Sequence, residues 1–440
     1  MNLYYYLSQK VNLIGVRRKL LKFIIVMSKI SYYKWSEKSP LVKKSPPGIT
    51  FPTFESNKVM IKIAVVALIM MTALIARTSE AGPRVIKNPY SDINWNQVKT
   101  YVANFHSHTV LSDGRAEPDE LIYMHADAGY DILAITDHDN YYTHREGERD
   151  ILQYYIHRDD NTRVPTAETT WPWTRWIQEH PSKIWVYQGR ETSAFYPDLG
   201  ERGMLAIRAA ELTTHPHIVS LFTDCGWPDR GNQTGEERME CVEQSGGLAY
   251  WVHPTHYVPG GMWENRSIFD DGWEEAITYY GDHIIKFNSN PGFEMQLERS
   301  LELDIEMLDR MLMKYYPEHD IFVQGSDDTH ATSVPDNTTL TLVLAEDLTE
   351  NAVRHALENG HKFVGSRTDI YPQFNEIIVD EMTSTITVDI DNYDRIRWIK
   401  NGKEYVTGTT LDYSGMANAV VRFEVDQGGV TFYSQGFYIQ

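Results

Sequence analysis

Two histidines and an aspartate follow an apolar run in the stretch NFHSHTVLSDG, which spans residues 104–114. His106 and His108 are separated by one residue, and Asp113 comes five residues later. Imidazole and carboxylate groups without a thiolate are the ligands that proteins offer to Zn²⁺, Mn²⁺ or iron. The stretch therefore indicates part of a metal site whose remaining ligands must come from elsewhere in the chain.

The other candidate ligands also lie at the ends of apolar runs. A lone histidine is usually an ordinary core or surface residue, but six run ends of one kind are hard to attribute to chance. The residues concerned are Asp137, His138 and Asp139 after one run, Glu211 after another, His217 at the start of the next, then His253 and His256, and finally Asp327, Asp328 and His330. This pattern predicts a multinuclear metal site.

The apolar runs predict seven buried strands that alternate with amphipathic helices. The predicted strands are 101–105, 131–136, 204–210, 218–222, 247–252, 284–287 and 321–323, and the predicted helices are 117–128, 301–314 and 350–359. Strands alternating with helices imply a parallel sheet with crossover connections. Seven strands favour an α/β barrel, in which the chemistry lies at the C-terminal ends of the strands. The candidate ligands fall at those ends.

Two segments differ from this alternating pattern. Residues 141–203 are polar and carry four tryptophans, which predicts a long insertion that is functional or forms a partly structured lid. Its tryptophans either contact a ligand or simply pack within the insertion. From residue 372, short alternating runs split by Asn-Gly and Gly-Gly predict a small antiparallel β module. We expect residues 82–371 to form the catalytic barrel and residues 372–440 to form a structural cap, with carbohydrate or partner binding as the alternative.

The N-terminal region has the composition of an export signal. A short basic start at residues 60–62 precedes fourteen uncharged residues, and a small-x-small cleavage pattern follows at Ser79 and Ala81. Fourteen residues are too few to span a bilayer, which needs about 20. We therefore predict a signal peptide over 60–81 and export to the periplasm or the cell exterior, with an uncleaved membrane anchor as the alternative. Residues 1–59 are interpreted as a non-native or disordered extension.

The charge distribution argues against binding to a nucleic-acid duplex. Residues 1–81 hold 13 basic and 3 acidic residues, whereas the rest of the chain holds 28 basic and 58 acidic ones. Such an acidic body is poorly suited to a phosphate backbone, where Lys and Arg must replace condensed counterions. The two cysteines, Cys225 and Cys241, lie in the part expected to be exported and could form a disulfide or remain free thiols.

Four motifs, HSHTVLSDG, LAITDHD, GGLAYWVHP and GSDDTH, occur in this order over about residues 100–370. Together they resemble the PHP (polymerase and histidinol phosphatase) superfamily. The stretches AELTTHPHIVSL and KFNS, the latter followed by LDRMLM, further resemble its secreted CehA/McbA-like metallohydrolase branch. The resemblance implies a distorted seven-stranded α/β barrel with two or three divalent metal ions (Mn, Zn or Fe), commonly used to hydrolyse phosphate esters.

The resemblance also implies which residues hold each ion. One ion would bind His106, His108, Glu211 and Asp328; a second would share Glu211 and add His217 and His253; a third would bind Asp113, His138 and His330. Metal ions about 3.5–4 Å apart can share a hydroxide that is nucleophilic at neutral pH. Glu211, Asp328 and His253 are therefore the predicted catalytic residues. Arg115 and His256 lie beside the motifs and could contact a substrate phosphate, with a plain surface role as the alternative.

Some assignments depart from the family pattern. The bridging glutamate usually follows the second motif more closely, and Glu191 also ends an apolar run. Glu211 is preferred because ELTTHPH brings His217 with it, and His215 is a lesser rival to that histidine. The carboxylates predicted to orient ligand histidines are Asp137, Asp139 and Asp327.

The expected function is that of an exported metal-dependent phosphoesterase, which acts on small phosphate monoesters or nucleotides through a metal-bridging hydroxide. Hydrolysis of a carbamate, amide or carboxylic ester is the first alternative, because the ligands alone do not select the bond. A non-catalytic metal-binding domain is the second. Arginines of the insertion that could clamp a phosphate are Arg145, Arg149, Arg158, Arg175 and Arg190. We expect no stable membrane partner after signal cleavage, and the sequence predicts no oligomeric state.

Overall fold

The structure is a computed structural model of the 440-residue chain. It describes residues 82–109, 112–116, 118–138, 154–156, 163–165, 184–185, 204–207, 209–214, 216–223, 225, 234–266, 268–269 and 272–440. The predicted N-terminal extension and signal peptide lie outside the described residues, as do Asp139, Glu191, His215 and the five arginines of the insertion.

The strands form two main sheets and two small ones. The twelve strands of the first sheet are β1 (Val85–Lys87), β2 (Lys99–Asn104), β3 (Ile132–Ala134), β6 (Ile184–Trp185), β7 (Met204–Ile207), β13 (Thr339–Ala345), β14 (Lys362–Ser366), β17 (Arg395–Lys400), β18 (Lys403–Thr407), β20 (Ala419–Gln427), β21 (Val430–Tyr433) and β22 (Phe437–Ile439). The second sheet contains β8 (Ala209–Leu212), β9 (Ile218–Leu221), β10 (Leu248–Trp251), β11 (Gly292–Met295) and β12 (Phe322–Gly325). The small sheets are β4 (Tyr154–Ile156) with β5 (Arg163–Pro165), and β15 (Gln373–Asp380), β16 (Thr385–Asp391) and β19 (Thr410–Asp412).

Five α-helices accompany these strands in the described part of the chain. They are α1 (Pro118–Asp127), α2 (Gly235–Gln244), α3 (Trp273–Lys286), α4 (Leu297–Tyr315) and α5 (Glu350–Asn359). A capping box starts α2, where Thr234 and Glu237 exchange hydrogen bonds and satisfy free backbone donors. Across the residues that the structure describes, no helix combines the length and the apolar character that a bilayer crossing requires.

The strands that surround the candidate ligands are paired in two ways. β2, β3 and β7 are parallel, as are β10, β11 and β12, whereas β8, β9 and β10 form an antiparallel series. The fold is therefore mixed α/β. The expected all-parallel sheet is wrong, because the segment between β8 and β9 is far shorter than the dozen or so residues that a parallel crossover needs.

Two isolated parallel bridges connect the main sheets at the strand ends. One joins Ser107, just after β2, to Thr329, just after β12. The other joins His138, just after β3, to Glu211 in β8. The C-terminal ends of strands from both sheets are thereby brought to one place, which is where the candidate ligands lie.

One predicted strand is a helix. Residues 284–287 include the end of α3, in which buried Ala276, Tyr280 and Ile284 recur at intervals of four. A run of four apolar residues is too short to distinguish this period from that of a strand. The strand actually present nearby is β11, which the sequence analysis missed because Glu294 interrupts its apolar residues.

The strands after residue 372 pair antiparallel with one another, and some of them extend the first main sheet. β22 pairs with β1, and β21 pairs with β14. Phe374, in β15, stacks on Phe363 of β14 with ring centroids 3.8 Å apart. Packing is thus continuous across residue 372, and a domain boundary at this position stays a prediction.

Cys225 and Cys241 form a disulfide, with their Cα atoms 6.1 Å apart. The sequence left open whether these residues were bonded or free. Since Cys241 lies in α2 and Cys225 follows β9, the bond fastens that helix to the end of a strand in the second sheet.

A buried ion pair fastens β20 to α4. Nε and Nη2 of Arg422 donate to the two oxygens of Asp309 at 2.7 and 2.9 Å, and Nη1 donates to Glu424. The arginine is 2% exposed. A buried charge is tolerated only when it is paired and hydrogen-bonded, so loss of Arg422 would leave Asp309 without its partner, whereas Glu424 would keep its pair with Arg397.

We predict that Arg422→Met lowers the free energy of unfolding by about 3–5 kcal/mol, the usual cost of removing one partner of a buried pair. Urea unfolding followed by circular dichroism measures the change. The matched control is Arg395→Met, because Arg395 pairs with Glu404 on the exposed surface and its loss should cost about 1 kcal/mol or less. Equal costs for the two variants would contradict the assignment.

Candidate metal centre

Glu211, in β8, is a buried carboxylate surrounded by histidines. Glu211 is 1% exposed. Oε2 lies 3.2 Å from Nε2 of His106, 3.0 Å from Nε2 of His108 and 3.1 Å from Nδ1 of His138. These three histidines follow β2 and β3 of the first sheet. One carboxylate oxygen of Glu211, in the second sheet, therefore contacts three histidines of the first sheet.

The other oxygen of Glu211 faces two more histidines. Oε1 lies 2.7 Å from Nδ1 of His217 and 3.3 Å from Nε2 of His253. His253 has a left-handed backbone with φ of 35°, a conformation that costs a non-glycine residue roughly 1–3 kcal/mol. Because its two oxygens face different histidines, Glu211 is placed as a carboxylate that bridges two ions would be.

Asp328, which follows β12, is the second buried carboxylate of the group. Oδ1 lies 3.3 Å from Nε2 of His106 and 3.1 Å from Nε2 of His108. Oδ2 accepts a hydrogen bond from Nη1 of Arg299 at 2.7 Å. The backbone of Asp328 is also left-handed, with φ of 51°. Strain at two residues of one site is typical of a functional centre whose surroundings hold it in place.

Hydrogen bonds on the far side of two rings direct their Nε2 atoms toward these carboxylates. Nδ1 of His106 donates to Glu294, whose oxygens lie 3.0 and 3.1 Å away. Nδ1 of His108 donates to Oγ of Ser112 at 3.1 Å, because Ser112 donates its own proton to Asp137 at 2.7 Å. With Nδ1 as the donor in both rings, each neutral imidazole presents a lone pair on Nε2. The two Nε2 atoms are 3.1 Å apart.

A third set of ligands lies at the mouth of the site. Oδ1 of Asp113 lies 3.1 Å from Nε2 of His330, and Oδ2 lies 3.5 Å from Nε2 of His138. Nδ1 of His330 donates to a backbone oxygen of its own loop at 2.7 Å, which leaves Nε2 to face Asp113. Gly114 lets this loop close, because a Cβ there would lie 2.3 Å from the backbone oxygen of His108.

The contacts between carboxylates and imidazoles shift their proton equilibria. Burial would raise the pKa of Glu211, but the neighbouring histidines, His138 foremost, hold it well below its usual range. Burial would lower the pKa of His108, but hydrogen bonds to Asp328 and Glu211 raise it to about 10. Burial would likewise raise the pKa of Asp328, but the neighbouring histidines, His106 foremost, hold it well below its usual range. The site therefore strongly favours positive charge beside its carboxylates.

The donor chemistry fits divalent metal ions. A lone pair that faces a carboxylate oxygen brings two acceptors together, and a cation must lie between them. Several lone pairs that converge on shared oxygens suit a metal ion better than separate protons, and N and O donors of this kind suit Zn²⁺, Mn²⁺ or iron. Among the described residues around Glu211, three groups have all their ligand atoms within 4.8 Å of one another: His106, His108, Glu211 and Asp328; His108, Asp113, His138 and His330; and His138, Glu211 and His217.

The structure brings the nine predicted metal ligands together, and their roles as ligands stay a prediction. Two groups differ in membership from the predicted ones. His138 joins Glu211 and His217, where His253 was expected, and His108 joins the group at the mouth of the site. His253 still contacts Glu211, so it lies next to the group formed by His138, Glu211 and His217.

The two residues predicted to contact a substrate phosphate are not among the described residues that line the cavity. The side chain of Arg115 is exposed and is not among the described residues that line the cavity. His256 is buried behind His253, with the rings stacked at a centroid distance of 4.9 Å. Burial and the neighbouring His253 lower the pKa of His256 to about 3. A neutral, covered ring of this kind supports its neighbour.

Two carboxylates predicted to orient the histidines act indirectly. Asp137 reaches His108 through Ser112, as described above. Asp327 accepts from Nδ2 of Asn104 at 2.7 Å, and Oδ1 of Asn104 accepts from the backbone N–H of His106 at 3.2 Å. Asp327 therefore fixes the backbone of the ligand loop, whereas Glu294, a described carboxylate outside the proposed ligand set, contacts the ring of His106 directly.

Sequence reasoning missed several residues of this site. The cavity has a volume of about 300 Å³ and is lined by Asp113, His138, Glu211, His217, His253, Tyr257, Trp263, Arg299, Asp328 and His330. Tyr257, Trp263 and Arg299 were not identified, because none of them ends an apolar run. Glu294 carried a usable signal: it is a lone acid inside a four-residue apolar strand, and a buried acid requires a partner.

No protein-family model and no curated protein matches the chain. Among solved structures, it is similar to a two-domain protein from Bacteroides vulgatus described as containing a predicted PHP-like metal-dependent phosphoesterase (15% identity, 78% of this chain and 95% of that chain covered, TM-score 0.39). It is also similar to an amidohydrolase from Chromobacterium violaceum with bound sulfate (15% identity, 52% of this chain and 87% of that chain covered, TM-score 0.30). A third similar structure is that of a protein from Bifidobacterium adolescentis described as a putative metal-dependent phosphoesterase (16% identity, 59% of this chain and 96% of that chain covered, TM-score 0.29). TM-scores this low do not establish a shared fold.

We predict that Glu294→Gln weakens binding of Zn²⁺ or Mn²⁺ by about 10–100-fold, although it removes no proposed ligand. An amide still accepts from Nδ1 of His106 but no longer supplies the charge that makes the ring a stronger donor to an ion. Isothermal titration measures the affinity. The matched control is Glu302→Gln on the exposed face of α4, which should bind as the wild type does; equal affinities in all three proteins would contradict the role of Glu294.

Proposed function

We propose that the protein is a metal-dependent hydrolase that cleaves small phosphate esters, including nucleotides. The observation that carries the proposal is the position of Glu211, a buried carboxylate whose two oxygens face five histidines. A cluster of this kind can hold two or three divalent ions. The binding of Mn, Zn or Fe at the three ligand groups is part of the proposal.

Such ions, when bound, supply a hydroxide nucleophile at neutral pH and neutralise negative charge that develops on the substrate. The chain's own residues then position and balance that chemistry. Glu211 and Asp328 hold the inner ligand set together, and Glu294 orients His106. Tyr257 and Trp263 form an aromatic wall of the cavity that excludes water from one side of a bound substrate.

Arg299 favours a phosphate ester over a neutral ester. It lines the cavity beside Asp328, with its side chain 31% exposed. Its pKa is raised, because Asp328 outweighs the effect of burial. A permanently charged guanidinium at the cavity wall can bind the oxygens of a phosphate. A carbamate, amide or carboxylic ester offers it no anion, so these substrates are an outcome of the test below.

The finer features expected from the sequence belong to the same proposal. They are membership of the PHP superfamily and its secreted CehA/McbA-like branch, closure of seven strands into a barrel, and export after cleavage of a signal peptide. Support for closure comes from the two bridges that connect β2 to β12 and β3 to β8. Support for the family comes from the four ordered motifs, which supply the ligands of the site.

We predict that Glu211→Gln lowers kcat by about 100-fold or more, roughly 3 kcal/mol of barrier, because it removes the charge shared by both sides of the cluster. Hydrolysis of p-nitrophenyl phosphate with excess Mn²⁺, and separately with Zn²⁺, measures the loss. Removing metal with a chelator should abolish wild-type activity, and either ion or iron should restore it.

The control for Glu211→Gln is the same substitution at Glu240, an exposed residue of α2, which should leave kcat unchanged. Full activity of Glu211→Gln with unchanged metal content would rule out a bridging role. Turnover of p-nitrophenyl acetate but not of the phosphate would replace the phosphoesterase with an ester hydrolase on the same site.

We predict that Arg299→Gln raises KM for p-nitrophenyl phosphate by about 10-fold or more and changes the hydrolysis of any carboxyl ester much less, because only the phosphate carries charge that the guanidinium binds. Arg310→Gln, on the exposed face of the same helix, is the control and should match the wild type. Equal effects on both substrates would mean that Arg299 acts only by positioning Asp328.

A further inference from the structure

A second group of two histidines and one aspartate lies away from the candidate metal centre. We propose that Asp92, His355 and His361 bind one divalent cation of the Zn²⁺ class. The three side chains offer ligand atoms that all lie within 4.8 Å of one another. None of these residues belongs to the ligand groups around Glu211, and the proposal does not depend on the hydrolase activity.

The two sites lie at opposite ends of β2. Ala345, which lines the cavity beside Asp92 and the two histidines, pairs with Lys99 at the start of β2. The strand then runs to Asn104, two residues before His106. At about 3.3 Å per residue, the sites are on the order of 20 Å apart. A cation at the second site would therefore be independent of the ions around Glu211.

The end of α5 brings the two histidines together. The helix ends at Asn359, and Gly360 adopts a left-handed backbone with φ of 76° that reverses the chain. The backbone N–H of His361 then donates to the oxygen of Ala356 at 2.9 Å. As a result, the rings of His355 and His361 lie with centroids 5.3 Å apart and planes inclined by 77°.

The carboxylate of Asp92 lies between the two rings. Nε2 of His361 is 2.8 Å from Oδ1, and Nε2 of His355 is 3.7 Å from Oδ2. Each oxygen thus faces a different ring, with both Nε2 atoms directed to the same carboxylate. Nδ2 of Asn359 lies 3.1 Å from Nδ1 of His355, which fixes the orientation of that ring. Binding of an ion through Nε2 would displace a proton from the ring.

Exposure and charge suit a partly open ion site. The side chain of His361 is 5% exposed, whereas those of Asp92 and His355 are 56% and 59% exposed. Three protein ligands with one open side match a site that completes its coordination with water. Glu346 and Asp347 line the same cavity of about 360 Å³ and add negative charge there.

The ligand types select the cation. Two imidazoles with one carboxylate suit Zn²⁺ and its transition-metal neighbours, whereas Mg²⁺ and Ca²⁺ prefer oxygen ligands throughout. Asp92 lies in the turn after β1, His355 lies within α5, and His361 lies just before β14, so the ion would clip the start of the described chain to the first main sheet.

The test counts ions in the full chain. Metal-free protein is dialysed against Zn²⁺ alone, and bound zinc is measured by elemental analysis for the wild type, His355→Ala and Asp92→Asn. Each variant should bind one ion fewer per chain than the wild type and should keep its hydrolysis of p-nitrophenyl phosphate. The matched control is His319→Ala, a histidine outside both clusters, which should bind as many ions as the wild type.

The same comparison in a Glu211→Gln background separates the two sites. If the difference of one ion persists there, the ion lost belongs to the Asp92 cluster whether or not the protein is a hydrolase. Both substituted side chains are more than half exposed, so the variants should keep the wild-type circular dichroism. Equal ion counts in the wild type, His355→Ala and Asp92→Asn would overturn the proposal and leave the cluster as a hydrogen-bonded His–Asp group.

Discussion

The buried carboxylate of Glu211 is the constraint on which the rest of the site depends. An ionised carboxylate away from water is costly unless positive charge and hydrogen bonds surround it. Glu211 meets that requirement with five histidines drawn from both main sheets. Each histidine must in turn present a particular ring nitrogen, so the contacts behind the rings matter as much as the rings themselves.

Those contacts explain features that are otherwise unexpected. Glu294, inside the apolar strand β11, accepts a hydrogen bond from Nδ1 of His106. A serine and an aspartate form a relay behind His108. Left-handed backbones at His253 and Asp328 are local costs that the surrounding packing must outweigh. Away from the site, the Arg422–Asp309 pair anchors α4, the helix that carries Arg299 in its first turn.

That the candidate ligands lie close together could be predicted from the sequence, because they obey a simple rule. Residues such as His106 and Asp328 end apolar runs, and strand ends gather at one edge of the fold. The sequence predicted the architecture less well. The run at 284–287 has no period of its own, and its true helical period appears only over the whole of α3. Glu294 was missed because it breaks the apolar run that would have marked its strand.

Arg299 shows a different limit of sequence reasoning. It lies in the first turn of α4, where a basic residue followed by acids is typical of any exposed helix. Only the folded chain reveals that its guanidinium reaches Asp328 at 2.7 Å. Residues that act through a long side chain across sequence-distant elements leave no local spacing from which to predict them, whereas residues at strand ends do.

The division of the ligands between the sheets couples stability to ion binding. His106, His108 and His138 follow strands of the first sheet, and Glu211 and Asp328 belong to the second. In the described part of the chain, isolated bridges join these sheets at the site itself. Ions held by ligands from both sides would therefore add their binding free energy to the association of the sheets, because the ligands converge only in the folded state. The same carboxylate that costs stability when it is buried would then become, with its ions, a connection that holds the strand ends together.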